Sequence, residues 1–330
     1  MSESFSALLA QQQDGQHHCD YQSLSIDDLD AGDVTVAIEY STLNYKDGLA
    51  ISGAAPIVQR YPLVLGIDYA GTVLDSSHPN FAAGDRVVLN GYGASEYLHG
   101  GYAQRARVSG ELLVKLPDAL TTRQAMAIGT AGYTAMLSVM ALQGGGVGAD
   151  AGDILVTGAA GGVGSVAVSL LASQGYRVVA STGRSEEEAF LKSLGAAEII
   201  DRATLAERGK PLQRERWAGA IDCVGSHTLA NTLAQTRYDG VVTACGLAQG
   251  ADLPATVMPF ILRNVQLRGV DSVQAPMARR LQAWTRLADE LDLTKLNDLS
   301  FDLPFSDLKD RAAQILAGQV RGRAVVDLNR

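Results

Sequence analysis

The stretch Gly152–Arg184, GDILVTGAAGGVGSVAVSLLASQGYRVVASTGR, decides the fold. Ile154, Leu155, Val156 and Thr157 form a short apolar, β-branched run of the kind found in a strand buried on both faces. A glycine turn, Gly158 to Gly164, follows, and Val163, Val166, Ala167, Leu170 and Leu171 then recur at helical spacing. Gly175 closes that pattern, and Arg177–Ala180 starts a second apolar run. Strand, glycine turn, helix and strand make one βαβ unit. In register, Ala159-x-Gly161-x-x-Gly164 fits the dinucleotide-binding pattern with Ala in the first glycine's place. Such a turn lets the backbone approach a pyrophosphate, and the helix behind it offers unpaired N–H groups and a positive dipole end. The same glycines could serve a tight turn that binds nothing, but the flanking strands and the unit length favour a cofactor.

The end of the second strand reads on the choice of cofactor. A site for NADH places Asp or Glu about 20 residues on, against the ribose 2′-hydroxyl. Here the sequence is Ser181-Thr182-Gly183-Arg184, with no acid before Glu186. Hydroxyls and an arginine suit a 2′-phosphate, which Arg can grip with two parallel charge-assisted bonds. The expectation is NADPH, the alternative a polar loop that happens to contain Arg.

Outward from this unit the chain falls into parts. Residues 1–125 read as β-rich, with Asp33–Glu39 alternating like a half-buried strand and further strands within Tyr61–Leu74 and Gly84–Leu89. Thr130–Gln143 reads as a helix with Tyr133, Met136, Leu137 and Met140 on one face, more in keeping with core than with a cofactor box. Beyond Arg184, Glu187–Leu194 is helical and stops at Gly195. Glu198–Asp201, Ala218–Val224, Gly240–Cys245 and Val265–Val270 read as strands, with Leu229–Gln235 helical. Repeated units of this kind predict a doubly wound parallel sheet. Ala275–Leu291 is an amphipathic helix, and the tail ends in a strand that would return to the first domain. The expected division is 1–125, 126–265 and 266–330.

With 330 residues the chain can build two domains with sizeable cores. A net charge of −9 argues against a general binder of nucleic acid or anionic membrane. Cys19, Cys223 and Cys245 are scattered and odd in number, which fits a reducing compartment, and Cys223 and Cys245 read as small buried apolar residues. No signal-like N-terminus and no run of 18 apolar residues occurs, so a cytoplasmic protein is expected.

The order of β-rich domain, helix, Gly-Ala-Ala-Gly-Gly-Val-Gly and Rossmann unit resembles the medium-chain dehydrogenase/reductase superfamily, as do Leu65–Gly71, Gly84–Val87 and Gly195-Ala196. The resemblance implies an α/β fold, a GroES-like β-rich catalytic domain plus a Rossmann doubly wound parallel-sheet nucleotide-binding domain. Zinc alcohol dehydrogenases of that superfamily carry Cys near Asn44 and Gly-His-Glu near Gly66-Ile67-Asp68. Here the Cys and His are missing, so no metal is expected. Ser41–Asp47 (STLNYKD), Gly129–Met136 (GTAGYTAM), Val257–Val265 (VMPFILRNV), Arg268–Ser272 (RGVDS) and Gly322-Arg323 are similar to the NADPH-dependent acrylyl-CoA reductases of the zinc-free quinone oxidoreductase branch. That resemblance implies reduction of acrylyl-CoA to propanoyl-CoA by a homodimer. It also implies NADP contacts at Tyr45, Ala160, Gly161, Gly162, Val163, Thr182, Gly183, Arg184, Arg202, Leu247, Ile261 and Ser272.

Asn44, Tyr45, Lys46 and Asp47 put an amide, a phenol, an amine and a carboxylate in four residues. They could orient a nicotinamide and an acyl carbonyl; by spacing alone they fit a solvated turn equally well, and Asp47 could simply tie the loop down. Arg323 suits planar anion recognition and could meet a thioester oxygen or a phosphate, or be a surface arginine. Tyr45, Asn44, Asp47 and Arg323 are therefore the catalytic candidates. Arg202 stands out from the basic run up to Arg216 because it directly follows a strand. His99, in a glycine-rich loop, is the one histidine to watch. Two other readings stay open: a quinone or enone reductase of the same fold, and a non-catalytic NADPH-binding protein.

Overall fold

The computed structural model describes residues 4–330, which form two compact units. One takes the chain up to Thr130 together with Ser272–Ala288 and Leu296–Arg330. The other takes Ala131–Asp271 and Asp289–Lys295.

The first unit is built on antiparallel sheet. Strands β1 (Phe5–Gln13) and β2 (Gln16–Leu24) form a hairpin, and β4 (Leu63–Val64) pairs with β1. The larger sheet uses β3 (Val34–Leu43), β5 (Asp68–Ser76), β6 (Arg86–Asn90), β7 (Arg105–Val108) and β8 (Val114–Lys115). Helix α1 (Tyr45–Ser52) follows β3 directly. Alternate residues of β3 (Val34, Val36, Ile38) join Leu65, Tyr69, Val73, Val87 and Leu89 in one core, as the period of two in a half-buried strand requires.

The second unit is a six-stranded parallel sheet: β9 (Ile154–Val156), β10 (Val178–Thr182), β11 (Glu198–Asp201), β12 (Trp217–Asp222), β13 (Thr236–Ala244) and β14 (Gln266–Gly269). Its order, β11-β10-β9-β12-β13-β14, is the doubly wound 3-2-1-4-5-6 arrangement. β14 pairs with β13, so the chain leaves this unit after Asp271 rather than after 265. The central strand β9 is fully buried, and helix α3 (Gly162–Ser173) is buried from Gly164 through Leu171, so both read as unbroken apolar runs. The last strands, β15 (Ser300–Pro304) and β16 (Arg323–Asp327), belong to the first unit, where β16 pairs with β3.

Helix α2 runs over Thr122–Gln143, a turn or two earlier than the apolar face indicated, because Gly129 (φ 51°, ψ −164°) breaks it into two segments. By length and composition it could cross a membrane, but 83% of its apolar window is buried within the protein, as for a core helix.

Candidate functional site

The carboxyl ends of the parallel strands gather the turns that sequence singled out. After β9 the chain turns at Gly158 with φ 60°, a conformation that suits glycine. Gly161 N–H donates to the Gly158 carbonyl at 3.0 Å. A Cβ on Gly164 would lie 2.4 Å from that same carbonyl, so only glycine lets α3 start directly against the turn. The N-cap of α3 is Gly161, with no side-chain capping bond, and Gly161, Gly162 and Val163 are partly exposed. The first N–H groups of the helix thus remain for an anion. Ala160 is buried beneath them.

At the end of β10, Thr182, Gly183 and Arg184 meet Arg202 from the end of β11. Arg202 N–H donates to the Thr182 carbonyl at 2.9 Å, and a Cβ on Gly183 would stand 2.3 Å from Arg202 Nε. Arg184 N–H donates to Thr182 Oγ1 at 3.2 Å, and its guanidinium lies 3.7 Å from the Glu187 carboxylate. Two arginines and a threonine hydroxyl on one strand-end loop, together with the uncapped N-terminus of α3 after the neighbouring strand β9, form a donor set that fits a dinucleotide carrying a 2′-phosphate. Leu247 lies against Gly225, in the turn after β12, and is exposed. Ile261, on the short helix Met258–Arg263, is 72% exposed.

In the first unit Asn44 is not part of a solvated turn. It is the N-cap of α1, and Asp47 is its N3 partner. The Asp47 carboxylate accepts from Asn44 N–H at 2.8 Å, Asn44 Nδ2 at 3.0 Å and Ile67 N–H at 2.9 Å. Complete burial and the Asp68 carboxylate push the Asp47 carboxyl up to about 7, against the pull of those three bonds. Asp68 gathers four donors: Asn44 Nδ2 (2.8 Å), Asn90 Nδ2 (2.7 Å), Thr130 N–H (2.9 Å) and Thr130 Oγ1 (2.5 Å). Arg323 is buried at 2% exposure and is neither a surface arginine nor an open anion receptor. It donates to the Ala127 carbonyl (2.9 Å), Asn44 Oδ1 (3.2 Å) and Thr42 Oγ1 (2.8 Å). Burial lowers its pKa, while Asp68 and Asp47 oppose that.

Tyr45 differs from its neighbours. It is the first helical residue of α1 and is 53% exposed, with its phenol outside the buried network. Lys46 forms an ion pair with Glu96. Ser272 accepts a bond from the buried Arg280 through its carbonyl. His99 is structural, accepting Val64 N–H at 3.1 Å, and burial lowers its pKa. Asp68, Thr42 and Thr130 were not singled out from sequence; a buried carboxylate shows itself only when the strands that cover it are assembled. Among the described residues no three His, Cys, Asp or Glu side chains converge as a metal would need.

Two family models match the chain. The alcohol dehydrogenase GroES-like domain covers residues 30–118, and the zinc-binding dehydrogenase model covers 162–289. The chain is 52% identical to the acrylyl-CoA reductase AcuI of Ruegeria pomeroyi, over 98% of this chain and 99% of that protein. It is 43% identical to the putative quinone oxidoreductase YhfP of Bacillus subtilis, over 99% of this chain and all of that one. Among solved structures, Escherichia coli YhdH with bound NADPH superposes with a TM-score of 0.95 at 50% identity, over 98% of this chain and 100% of that one.

Proposed function

The chain belongs to the medium-chain dehydrogenase/reductase superfamily, and from that premise we propose that it is an NADPH-dependent reductase of acrylyl-CoA, yielding propanoyl-CoA. The observation that carries this reading is the packing of Arg202 on Thr182 and Gly183, next to Arg184, at the strand end where a 2′-phosphate belongs, in a chain half identical to a named acrylyl-CoA reductase. The backbone of Gly161, Gly162 and Val163 holds the pyrophosphate, with Ala160 buried below. Leu247, Ile261, Tyr45 and Ser272 supply further contacts to the cofactor.

When bound, NADPH supplies the hydride that reaches Cβ of the enoyl thioester. The charge then moves to the thioester oxygen, which needs hydrogen-bond donors before a proton reaches Cα. The exposed Tyr45 hydroxyl, at the first turn of α1, is the donor assigned here. Asn44, Asp47 and Arg323 act as positioning residues. Their donors and acceptors are directed at one another and at Asp68, and together they fix the helix start that presents Tyr45. Zinc has no part in this reading: the buried Arg323 guanidinium contacts Asn44 in the cluster that also holds Asp68, near the positions where zinc relatives carry ligands. Chelators should leave turnover intact.

The protein is read as a cytoplasmic homodimer. Support for a second copy comes from the apolar surface of Val257 and Leu262, each more than half exposed, at the start and near the end of the short helix that leads into the edge strand β14. The test of function is NADPH oxidation measured across acrylyl-CoA, free acrylate, an enone and a quinone. Saturable turnover with acrylyl-CoA and none with the quinone is expected. Preferred turnover of the quinone, the reading that resemblance to YhfP supports, would overturn it. Tyr45→Phe should lower kcat and kcat/KM together, by about a hundredfold if the hydroxyl meets the oxyanion, with melting unchanged.

A further inference from the structure

Cys223 and Cys245 each follow directly on a strand of the parallel sheet, β12 and β13. Those strands are neighbours, with Asp222 paired to Ala244, so the two cysteines stand side by side one step beyond that register. Their sulfurs are 3.8 Å apart, and both residues are partly exposed rather than buried as expected. The third cysteine, Cys19, is buried in the other unit.

The backbone around the pair is fixed. Cys223 N–H donates to Thr157 Oγ1 at 3.0 Å, and Cys245 N–H donates to the Asp222 carbonyl at 2.9 Å. A Cβ on Gly246 would lie 2.3 Å from the Cys223 carbonyl oxygen, so the two segments are already in backbone contact. Paired strands sit about 4.8 Å apart, inside the Cα separation of about 4.4–6.8 Å that a disulfide accepts. Bringing the sulfurs to about 2.0 Å needs side-chain rotation, not strand movement. Cys223 faces the glycine turn: a Cβ built on Gly158 would stand 3.5 Å from Cys223 Cβ and 3.4 Å from Val224 Cγ2. The Gly158 carbonyl is the one that receives Gly161 N–H and that Gly164 packs against.

We propose that Cys223 and Cys245 are a peroxide-sensitive dithiol whose closure to a disulfide rotates the Cys223 side chain beside Gly158 and weakens NADPH binding at the glycine turn. The proposal rests on that turn being part of the cofactor site. The oxidant is hydrogen peroxide. Cys245 ionises and its thiolate attacks one peroxide oxygen; the O–O bond breaks, a sulfenic acid forms, and the hydroxide released takes up the proton lost on ionisation and leaves as water. The Cys223 sulfur then displaces the hydroxyl from that sulfenic acid; the S–O bond breaks, the S–S bond forms and a second water leaves with the Cys223 proton. Two electrons pass from the two sulfurs to the peroxide. Cys245 is placed first because its contact and burial together push the Cys223 thiol up; until it ionises, the Cys245 thiol donates to the Asp222 carbonyl at 3.4 Å.

The test treats the full chain with a few equivalents of hydrogen peroxide, blocks remaining thiols and maps peptides by mass spectrometry. NADPH affinity is titrated on reduced, oxidised and dithiothreitol-treated samples. A Cys223–Cys245 crosslink is expected, with NADPH Kd raised at least fivefold and restored by dithiothreitol. Cys223→Ser should bind NADPH normally and lose the response; Cys245→Ala serves the same purpose if that variant folds poorly. Two free thiols after peroxide, or a crosslink with unchanged Kd, would overturn the proposal. The reduced sample reports the cofactor reading separately, since failure there appears as absent NADPH binding before any peroxide is added.

Discussion

Arg184 is where a single side chain carries the choice of cofactor. Its guanidinium is about one-third exposed and lies 3.7 Å from the Glu187 carboxylate, in a strand-end loop whose Gly183 packs against Arg202 and which has no acid before Glu186. Losing one charge-assisted contact should cost about 1.5–3 kcal/mol. Arg184→Ala is therefore expected to weaken NADPH by roughly ten- to a hundredfold while leaving NADH nearly unchanged, as read by fluorescence titration; equal losses would show that Arg184 does not read the phosphate. Asp47 makes a different statement, about stability. Burial and the Asp68 carboxylate push its carboxyl up from the ordinary 3.8 to about 7 in the folded protein. The folded state therefore holds a proton that the unfolded chain has released, and this contribution is full below about 3.8 and lost as pH rises through 7. At about 1.4 kcal/mol per unit, the effect is at most roughly 4 kcal/mol. Asp47→Asn removes hydrogen bonds and should be less stable throughout. Its melting temperature should nevertheless fall less than that of the parent between pH 5 and pH 8. Parallel pH profiles in calorimetry would contradict a titrating Asp47.

At the scale of elements, the central parallel strands were legible because each is a short buried run bounded by turns, as Ile154–Val156 and Val178–Thr182 illustrate. The hairpin of β1 and β2 was not picked out, although Asp14-Gly15 carries a hairpin turn signal, with φ of 51° and 79°. β2 is mostly exposed and polar, so no apolar alternation marks it. α1 was hidden for a related reason: a polar quartet reads as a turn until the cap pairing of Asn44 with Asp47 is seen. Gly129 is the element-scale residue with the most to say. Its φ and ψ are open only to glycine, and a Cβ there would lie 2.5 Å from Arg323 Nη2 and 2.7 Å from Thr42 Cγ2. Gly129→Ala should cost about 2–4 kcal/mol, read as a shift of the urea midpoint, with the buried network loosened. A shift below about 0.5 kcal/mol would mean that the kink is not needed to seat Arg323.

At the scale of the whole chain, what sequence could not supply is long-range assembly. Arg323 meets Asn44 and Thr42 across nearly the full length of the first unit, and no local pattern announces that contact. Asp68 likewise becomes a hub only when β5 brings it to Thr130 and Asn90. The parts whose chemistry is local, the glycine turn and the Thr182–Arg184 loop, were readable in advance; the buried support of α1 was not. Hydride delivery to Cβ of an enoyl thioester can be followed by isotope transfer. The protein is given acrylyl-CoA and NADPH carrying deuterium at the transferable C4 position, and the product is analysed by mass spectrometry and NMR. The account predicts propanoyl-CoA with one deuterium, at C3. Deuterium at C2, or cofactor oxidation without deuterated propanoyl-CoA, would contradict it.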